Sequence, residues 1–308
     1  MKTEKCLSDL QLEVIYNDKC IRCGACGAFC PNITFESGSG NMQFKEQCSE
    51  TVGVCYNFCP RSELNLHTLD QRLFGKDRED FALGVYEKAA KATLAGKAGK
   101  SSAKDVTTTL LLAAMDAGFI DSAVLGSAQV DKALEPVTCT TKNDILANAG
   151  ERKGLGPLVW GVGAAIKAGN QHIAIVGRPC HAQALAKIQG PDFGVKQERI
   201  ALVIAQFCLA QGKGCTTCID YSGEFADISI DPKTGDLLIR SALGQQVVDA
   251  AVKAKAIKLG DTDIAPIQDA ATKKKTKNFL KVLAKAGKID VDYLQLDEAS
   301  TRFFLKSE

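Results

Sequence analysis

The sequence contains no run of about 18 consecutive apolar residues, the length that a membrane-spanning helix requires. No membrane span is expected, and the polar, charged N-terminal residues lack the apolar region of a secretory signal, so we expect a cytoplasmic protein. With 38 basic and 36 acidic residues the formal net charge is only +2, which favours no nucleic-acid partner. Only three histidines occur among 308 residues, and no Ser/His/Asp arrangement of a nucleophilic enzyme is visible.

Cysteine, by contrast, is abundant, with 13 residues in the chain. In a reducing cytoplasm these thiols are not expected to form disulfides, so metal ligation explains their number better. Eight lie between Cys6 and Cys59, and the other five are spread from Cys139 to Cys218. This division predicts two modules in one globular chain.

The first cysteines have the spacing of bacterial ferredoxins. Cys20, Cys23, Cys26 and Cys30 are separated by two, two and three residues, and Pro31 follows the last one. In two-cluster ferredoxins, three thiolates of such a run bind one cluster and the fourth binds the other. The run therefore predicts a [4Fe-4S] cluster and a role in electron transfer.

A second, less regular series consists of Cys48, Cys55 and Cys59, the last again followed by proline. In the two-cluster arrangement, Cys59 completes the cluster of the first run, and Cys30 joins Cys48 and Cys55. The second cluster then lacks a fourth ligand. We favour Cys6 for this position; the alternatives are a [3Fe-4S] cluster, or no metal in the second series.

Residues 1–85 are therefore predicted to form an α+β ferredoxin-like iron–sulfur module, with short strands at residues 12–16 and 64–66. A polar stretch rich in alanine, glycine, lysine and serine comes next, and we interpret residues 86–104 as a linker. Residues 105–308 remain for a second domain of α/β type.

The second domain alternates two kinds of apolar pattern. Short runs rich in branched side chains predict buried parallel strands at residues 122–125, 172–176 and 200–206. Helical patterns that end near glycine lie at residues 106–117, 157–168 and 181–188. Strands alternating with helices predict a mainly parallel sheet, with ligands bound beyond the carboxyl ends of its strands.

Four of the remaining cysteines are expected to meet at that edge of the sheet. Cys180 comes just after the second predicted strand and Cys208 just after the third, and Cys215 and Cys218 follow shortly. Four converging thiolates suit an iron–sulfur cluster, with zinc as the alternative. Cys139 stands alone and is interpreted as a core cysteine.

The motifs of the second domain occur in a distinctive order: Thr108-Thr-Leu-Leu-Leu, Val176-Gly-Arg-Pro-Cys180-His, Phe207-Cys208, Cys215-Thr-Thr-Cys218 and Ala226-Asp-Ile-Ser. Over roughly residues 100–260, the chain resembles the beta subunit of coenzyme F420-reducing hydrogenase. That family includes the beta subunit of deazaflavin-linked formate dehydrogenase and the ferredoxin-fused input subunit of F420H2 dehydrogenase. The resemblance implies an α/β flavin domain with FAD, a [4Fe-4S] cluster beside it, and coenzyme F420 as substrate.

The resemblance also indicates where FAD would bind, near Thr108, Gly150, Gly177, Arg178, Pro179 and His181. The chain departs from the family pattern at several points. Lys104 and Asp105 stand where glycines are usual, and His181 replaces a glutamine. No catalytic residue is assigned.

These features predict an oxidoreductase subunit that exchanges electrons between coenzyme F420 and a partner redox protein, by way of FAD and the clusters. The implied partners are other subunits of a hydrogenase, dehydrogenase or similar redox complex. A flavin-free relay subunit is the main alternative, and a flavoenzyme acting on another small molecule is a third. The basic run at residues 273–277 is interpreted as opening a solvated amphipathic helix, with docking to an acidic partner as the alternative.

Overall fold

The computed structural model describes residues 2–45, 48–95, 105–127, 134–150, 154–190, 192–209 and 212–284. Within these ranges the helices are α1 (Leu7–Leu10), α2 (Ala25–Ala28), α3 (Val54–Asn57), α4 (Leu66–Phe74), α5 (Val106–Asp116), α6 (Lys142–Ala147), α7 (Leu158–Lys167), α8 (Pro179–Ile188), α9 (Ala242–Lys253) and α10 (Ala265–Ala284). The strands are β1 (Ile33–Phe35), β2 (Met42–Phe44), β3 (Lys88–Leu94), β4 (Ser122–Gly126), β5 (Pro136–Cys139), β6 (Ile173–Gly177), β7 (Ile200–Gln206), β8 (Ile228–Ile230), β9 (Asp236–Ile239) and β10 (Ile257–Gly260). A π-helical turn follows α1 at Gln11–Ile15, and 3-10 turns lie at Gln197–Arg199 and Lys213–Thr217.

The N-terminal region consists of short elements around its cysteines, and β1 and β2 form an antiparallel hairpin. The two strands predicted here, at residues 12–16 and 64–66, are wrong. The first segment lies mainly in the π-helical turn, because buried apolar residues from Leu7 to Val14 recur at helical spacing. The second runs into α4, whose first turn is capped by the side chain of Asn65.

An eight-stranded sheet forms the centre of the protein, in the order β10-β3-β9-β8-β7-β6-β4-β5. The three strands and three helices predicted for this domain are confirmed as β4, β6, β7, α5, α7 and α8, with bounds that differ by two residues at most. The four strands β8, β7, β6 and β4 are parallel neighbours. The remaining pairs are antiparallel, so the sheet is mixed, and the expectation of a mainly parallel sheet is corrected.

Part of the predicted linker is a strand of this sheet. β3 lies between β10 and β9 and buries Ala90 and Ala92. The Ala92 amide donates a hydrogen bond to the Gly235 carbonyl at 2.8 Å, and a side chain at Gly235 would overlap the Ala92 carbonyl. The small residues that suggested a linker therefore allow close packing of strands. Residues 96–104 of the predicted linker lie outside the described residues.

The N-terminal region and the sheet domain share one hydrophobic core. Phe58 is buried in the same cluster as Val162 and Leu185. Helix α2 packs against α7 where Gly163 lies against the Ala28 carbonyl, so close that a Cβ atom would overlap it. The described parts of the two predicted modules therefore form one packed body, and the predicted division at residues 85 and 105 stays a prediction.

Candidate iron–sulfur centres

Four cysteines of the N-terminal region line one cavity, which we call site I: Cys20, Cys23, Cys26 and Cys59. The loop that carries the first three is turned by left-handed backbone at Arg22 (φ 53°) and Gly24 (φ 89°). A Cβ atom at Gly24 would lie 2.7 Å from the Pro157 carbonyl oxygen, so a larger residue does not fit there. These are the four cysteines that the two-cluster arrangement predicts for one cluster.

The thiols of site I lie in a strongly buried environment. Burial raises the pKa of Cys23, Cys26 and Cys59 above the usual range. Neighbouring thiols raise the pKa of Cys26 further. Buried thiolates of this kind need nearby positive charge, which the irons of a cluster supply when they are bound.

A second group, site II, is centred on Cys55 and includes Cys6, Cys30 and Cys48. Burial raises the pKa of Cys55 to about 12, and the other three thiols are close enough to contribute to this shift. The Gly53 amide donates a hydrogen bond to the Lys5 carbonyl at 2.8 Å. A Cβ atom at Gly53 would lie 3.0 Å from the Cys55 Sγ and 3.1 Å from the Cys6 Cα. The fold thus brings Cys6 to the three cysteines that lacked a fourth partner in the sequence.

Four cysteines of the sheet domain line another cavity, site III: Cys180, Cys208, Cys215 and Cys218. Cys180 lies in the first turn of α8, directly after β6, and Cys208 follows β7. Cys215 and Cys218 are presented by the 3-10 turn. Burial, together with neighbouring thiols, raises the pKa of Cys180 well above its usual value. The parallel strands thus deliver these cysteines to the carboxyl edge of the sheet.

Sites I and III are neighbours in the fold. The side chain of Ile21 lines both cavities. Arg61, which lines site I, donates a hydrogen bond at 2.6 Å to the Thr217 hydroxyl, between two cysteines of site III. Close packing brings the loops together, because a Cβ atom at Gly214 would lie 2.6 Å from the Cys20 carbonyl oxygen. The Cys23 thiol of site I also raises the pKa of Cys180 of site III, so the two sites lie next to each other.

Helix α10 contributes to site III in a way that the sequence analysis missed. The Lys274 ammonium lies 2.9 Å from the Cys208 Sγ and 2.5 Å from the Asp220 carbonyl oxygen. The Asn278 amide donates hydrogen bonds to the carbonyls of Cys215 (3.1 Å) and Cys218 (2.5 Å). The interpretation of the basic run as a solvated face is corrected here, because Lys274 turns towards the site. Lys274 and Asn278 are four residues apart and therefore lie on the same face of a helix. This spacing was the feature of the sequence that could have indicated that both side chains reach the same site.

Lys275, next to Lys274, is fully buried, and its ammonium lies 2.6 Å from the Glu224 carboxylate. The same carboxylate lies 2.6 Å from the Arg78 guanidinium, which also pairs with Asp70 of α4. Burial works to raise the pKa of Glu224, but Lys275 and Arg78 hold it below its usual value. A buried ion network thus joins α10 to both parts of the chain.

Among the described residues, no three His, Cys, Asp or Glu side chains converge closely enough to hold a single metal ion. In a four-iron cluster each thiolate binds a different iron, so the sulfurs surround a cavity instead of meeting at one point. The donor sets of sites I, II and III consist of thiols alone, which is the chemistry that iron–sulfur clusters require. Cys139, the last residue of β5, is fully buried in a hydrophobic cluster that contains none of these twelve cysteines.

The residues predicted to hold FAD are only partly brought together. Gly150, Gly177, Arg178 and His181 line a pocket of about 30 Å³ at the carboxyl edge of the sheet. This volume is far below the roughly 300–1,000 Å³ of small-molecule pockets, so the pocket as it stands does not hold a flavin ring. Pro179 lines site III instead. Thr108 lies apart in α5, where its hydroxyl donates to the Asp105 carboxylate at 2.7 Å.

His181 is buried and fully engaged within this pocket wall. Its Nδ1 accepts a hydrogen bond from the Arg178 amide at 2.9 Å, which caps α8. Its Nε2 therefore carries the proton and donates to the Gly156 carbonyl at 3.0 Å. Burial lowers the pKa of His181 to about 4, so the ring is neutral. The Arg178 guanidinium donates to the Phe207 carbonyl at 2.7 Å. The flavin prediction thus fits the described residues only in part.

No protein-family model matches the chain. The chain is 28% identical over 242 residues to an uncharacterized protein of Methanocaldococcus jannaschii, covering 68% of this chain and 64% of that protein. It is 29% identical over 196 residues to coenzyme F420-dependent sulfite reductase of the same organism, covering 60% of this chain and 28% of the reductase. It is 28% identical over 133 residues to coenzyme F420 hydrogenase subunit beta of Methanothermobacter thermautotrophicus, covering 41% of this chain and 47% of the subunit.

The matched regions thus span less than two thirds of each of these relatives. Among solved structures, a chain of the F420-reducing [NiFe] hydrogenase complex from Methanosarcina barkeri is similar in fold, with a TM-score of 0.60 and 21% identity. The alignment covers 67% of this chain and 94% of the hydrogenase chain. Both named relatives are oxidoreductases, the class predicted from the sequence. No described helix is long and apolar enough to cross a membrane.

Proposed function

We propose that this protein is an iron–sulfur flavoprotein subunit that exchanges electrons between coenzyme F420 and a partner redox protein. The observation that carries the proposal is the grouping of twelve of the 13 cysteines into three sets of four. Each set consists only of thiols and corresponds to a cluster expected from the sequence. Three clusters in one chain suit a protein that conducts electrons.

The arrangement of the sites supports a continuous electron path. Site III lies at the edge of the sheet where cofactors of open α/β folds bind. Site I adjoins it, since Ile21 lines both cavities and Cys23 contributes to the pKa shift of Cys180. Site II is adjacent to site I, because Cys55 contributes to the pKa shift of Cys26. We therefore propose the order of transfer as site III, site I and site II, or the reverse.

The protein's own residues would hold and insulate the clusters. Cys23, Cys180 and Cys218 are at least nine-tenths buried, so bound clusters would be shielded from water at these ligands. The Arg61 amide lies 3.4 Å from the Cys59 Sγ, and the Lys187 ammonium donates to the Cys59 carbonyl at 2.8 Å. These donors orient the Cys59 segment and place positive charge near site I.

The similarity to F420 enzymes supports coenzyme F420 as the hydride donor or acceptor and a hydrogenase-like or other redox complex as the partner. When bound, FAD would exchange a hydride with the substrate and electrons singly with a cluster. The pocket lined by Gly150, Gly177, Arg178 and His181 adjoins site III, since Arg178 lines both. These are the residues that would lie against a bound flavin.

Iron, sulfide and flavin content of the anaerobically purified protein tests the proposal. Three four-iron clusters hold about twelve irons, and we expect one FAD with them. The Cys180→Ala/Cys218→Ala variant should lose about four irons and keep the rest. Exchange of electrons between coenzyme F420 and a viologen dye by the loaded protein tests the substrate. Protein that carries FAD and all clusters but shows no such exchange would exclude coenzyme F420.

A flavin-free relay subunit is the second candidate. It is favoured by the limited size of the pocket and by the hydrogen bonds that already engage both ring nitrogens of His181. Under this alternative the protein holds its clusters without flavin and reduces no small molecule by itself. Eight to twelve irons, roughly two or three clusters, without any flavin absorbance would establish it.

A further inference from the structure

The Lys274 side chain places a positive charge at a sulfur of site III. Its ammonium lies 2.9 Å from the Cys208 Sγ, within hydrogen-bond distance for a sulfur acceptor. The same ammonium donates to the Asp220 carbonyl, which fixes its direction. The side chain is only partly exposed, whereas its neighbours Lys273 and Lys277 are exposed. Lys274 therefore differs from the other lysines of the basic run in what it touches.

The surroundings of Lys274 hold it in this position. Lys275, the next residue, anchors α10 through Glu224 and through the Phe81 carbonyl at 2.7 Å. One turn after Lys274, Asn278 donates hydrogen bonds to the carbonyls of Cys215 and Cys218. Both side chains are buried. The ammonium thus reaches site III from a helix that two buried polar side chains hold in place.

A cation in this place acts on the two redox states of a cluster unequally. The reduced cluster carries one more negative charge than the oxidised cluster, so a nearby ammonium stabilises the reduced state more. A hydrogen bond to a ligand sulfur acts in the same direction, because it disperses negative charge on that sulfur. Partial burial weakens solvent screening of both effects.

We propose that Lys274 raises the reduction potential of the cluster at site III through its hydrogen bond to Cys208 and its positive charge. The inference rests on the proposed cluster at that site. Arg178 also lines site III, and its guanidinium donates to the Phe207 carbonyl. The Asp220 carboxylate, an anion that also lines the site, is held by the amides of Gly223 and Glu224. The Lys274 ammonium bonds a ligand sulfur directly.

An EPR-monitored redox titration of the full holoprotein tests this inference. Dithionite supplies one electron to each cluster, and the site III signal is identified by its loss in the Cys180→Ala/Cys218→Ala variant. We compare Lys274→Met, which removes donor and charge, with Lys274→Gln, which keeps a donor, and Lys274→Arg, which keeps both. Lys273→Met is the matched control, because it makes the same substitution one residue away on an exposed side chain.

We expect Lys274→Met to shift the reduction equilibrium of site III at least tenfold towards the oxidised state, about 59 mV for a one-electron couple. Lys274→Gln should shift it less, and Lys274→Arg and Lys273→Met should leave it near the wild-type value. The other potentials should not change. An unchanged site III potential in Lys274→Met and Lys274→Gln overturns the inference while leaving the proposed function intact. If the Cys180→Ala/Cys218→Ala variant loses neither iron nor signal, the proposed cluster fails and the inference fails with it.

Discussion

Replacing Lys275 by methionine is expected to destabilise the fold strongly, because it breaks a buried ion pair. The side chains of Lys275 and Glu224 are 0% and 1% exposed, and their charged atoms lie 2.6 Å apart. The substitution keeps the approximate length of the side chain but removes the positive charge beside Glu224. It also removes the hydrogen bond that the ammonium donates to the Phe81 carbonyl. Loss of one partner from a buried pair costs about 3–5 kcal/mol.

Urea unfolding of the holoprotein under anaerobic conditions, followed by far-UV circular dichroism, measures this cost. With a urea m-value of about 3 kcal/mol per M, the midpoint should fall by roughly 1 to 1.7 M. Lys76→Met is the matched control, since Lys76 pairs with Glu87 at 2.8 Å while both side chains are about half exposed. An exposed pair contributes about 0.2–1 kcal/mol, so this midpoint should fall by less than about 0.4 M.

The double variant Glu224→Gln/Lys275→Met identifies the cause of the effect. It removes one charge of each sign, so Arg78 and Asp70 remain as a balanced pair. We expect its loss of stability to be smaller than the sum of the two single losses. A Lys275→Met midpoint that matches Lys76→Met, or strictly additive single effects, would refute the reasoning that the buried pair holds α10 in place.

Three further predictions concern packing and cysteine chemistry. Gly163→Ala should lower the free energy of unfolding by about 1–3 kcal/mol and reduce iron incorporation, because its Cβ would overlap the Ala28 carbonyl. Gly260→Ala is the control: it has open space around its Cβ and should change neither quantity in the same unfolding and iron assays. Cys6→Ala should cost site II one iron or its whole cluster, with a three-iron EPR signal or about four irons lost; unchanged iron content would exclude Cys6 as a ligand. Burial and Asp144 raise the pKa of Cys139 to about 11, so this thiol should resist alkylation at pH 8 in the native protein and react after unfolding, as read by peptide mass spectrometry.

The strands and helices around site III could be predicted because their residues carry strong local patterns. β4, β6 and β7 are short runs of branched apolar residues, and α5, α7 and α8 are apolar helices that end near glycine. Because the carboxyl ends of parallel strands meet at one edge of a sheet, the sequence also predicted that Cys180 and Cys208 lie close together. β3 was missed because its sequence, mostly alanine and lysine, gives a weak strand signal, and its burial depends on neighbours distant in the sequence.

The sequence by itself predicted which cysteines belong to one loop, since ligand spacing within a loop is a local property of the chain. Only the tertiary structure decided which distant residues complete each site. Cys6 reaches Cys55 because Gly53 has no side chain to keep them apart. Lys274 reaches Cys208 because buried charges fix α10 against the sheet. Such contacts depend on packing between segments that are far apart in sequence, and no local pattern encodes them.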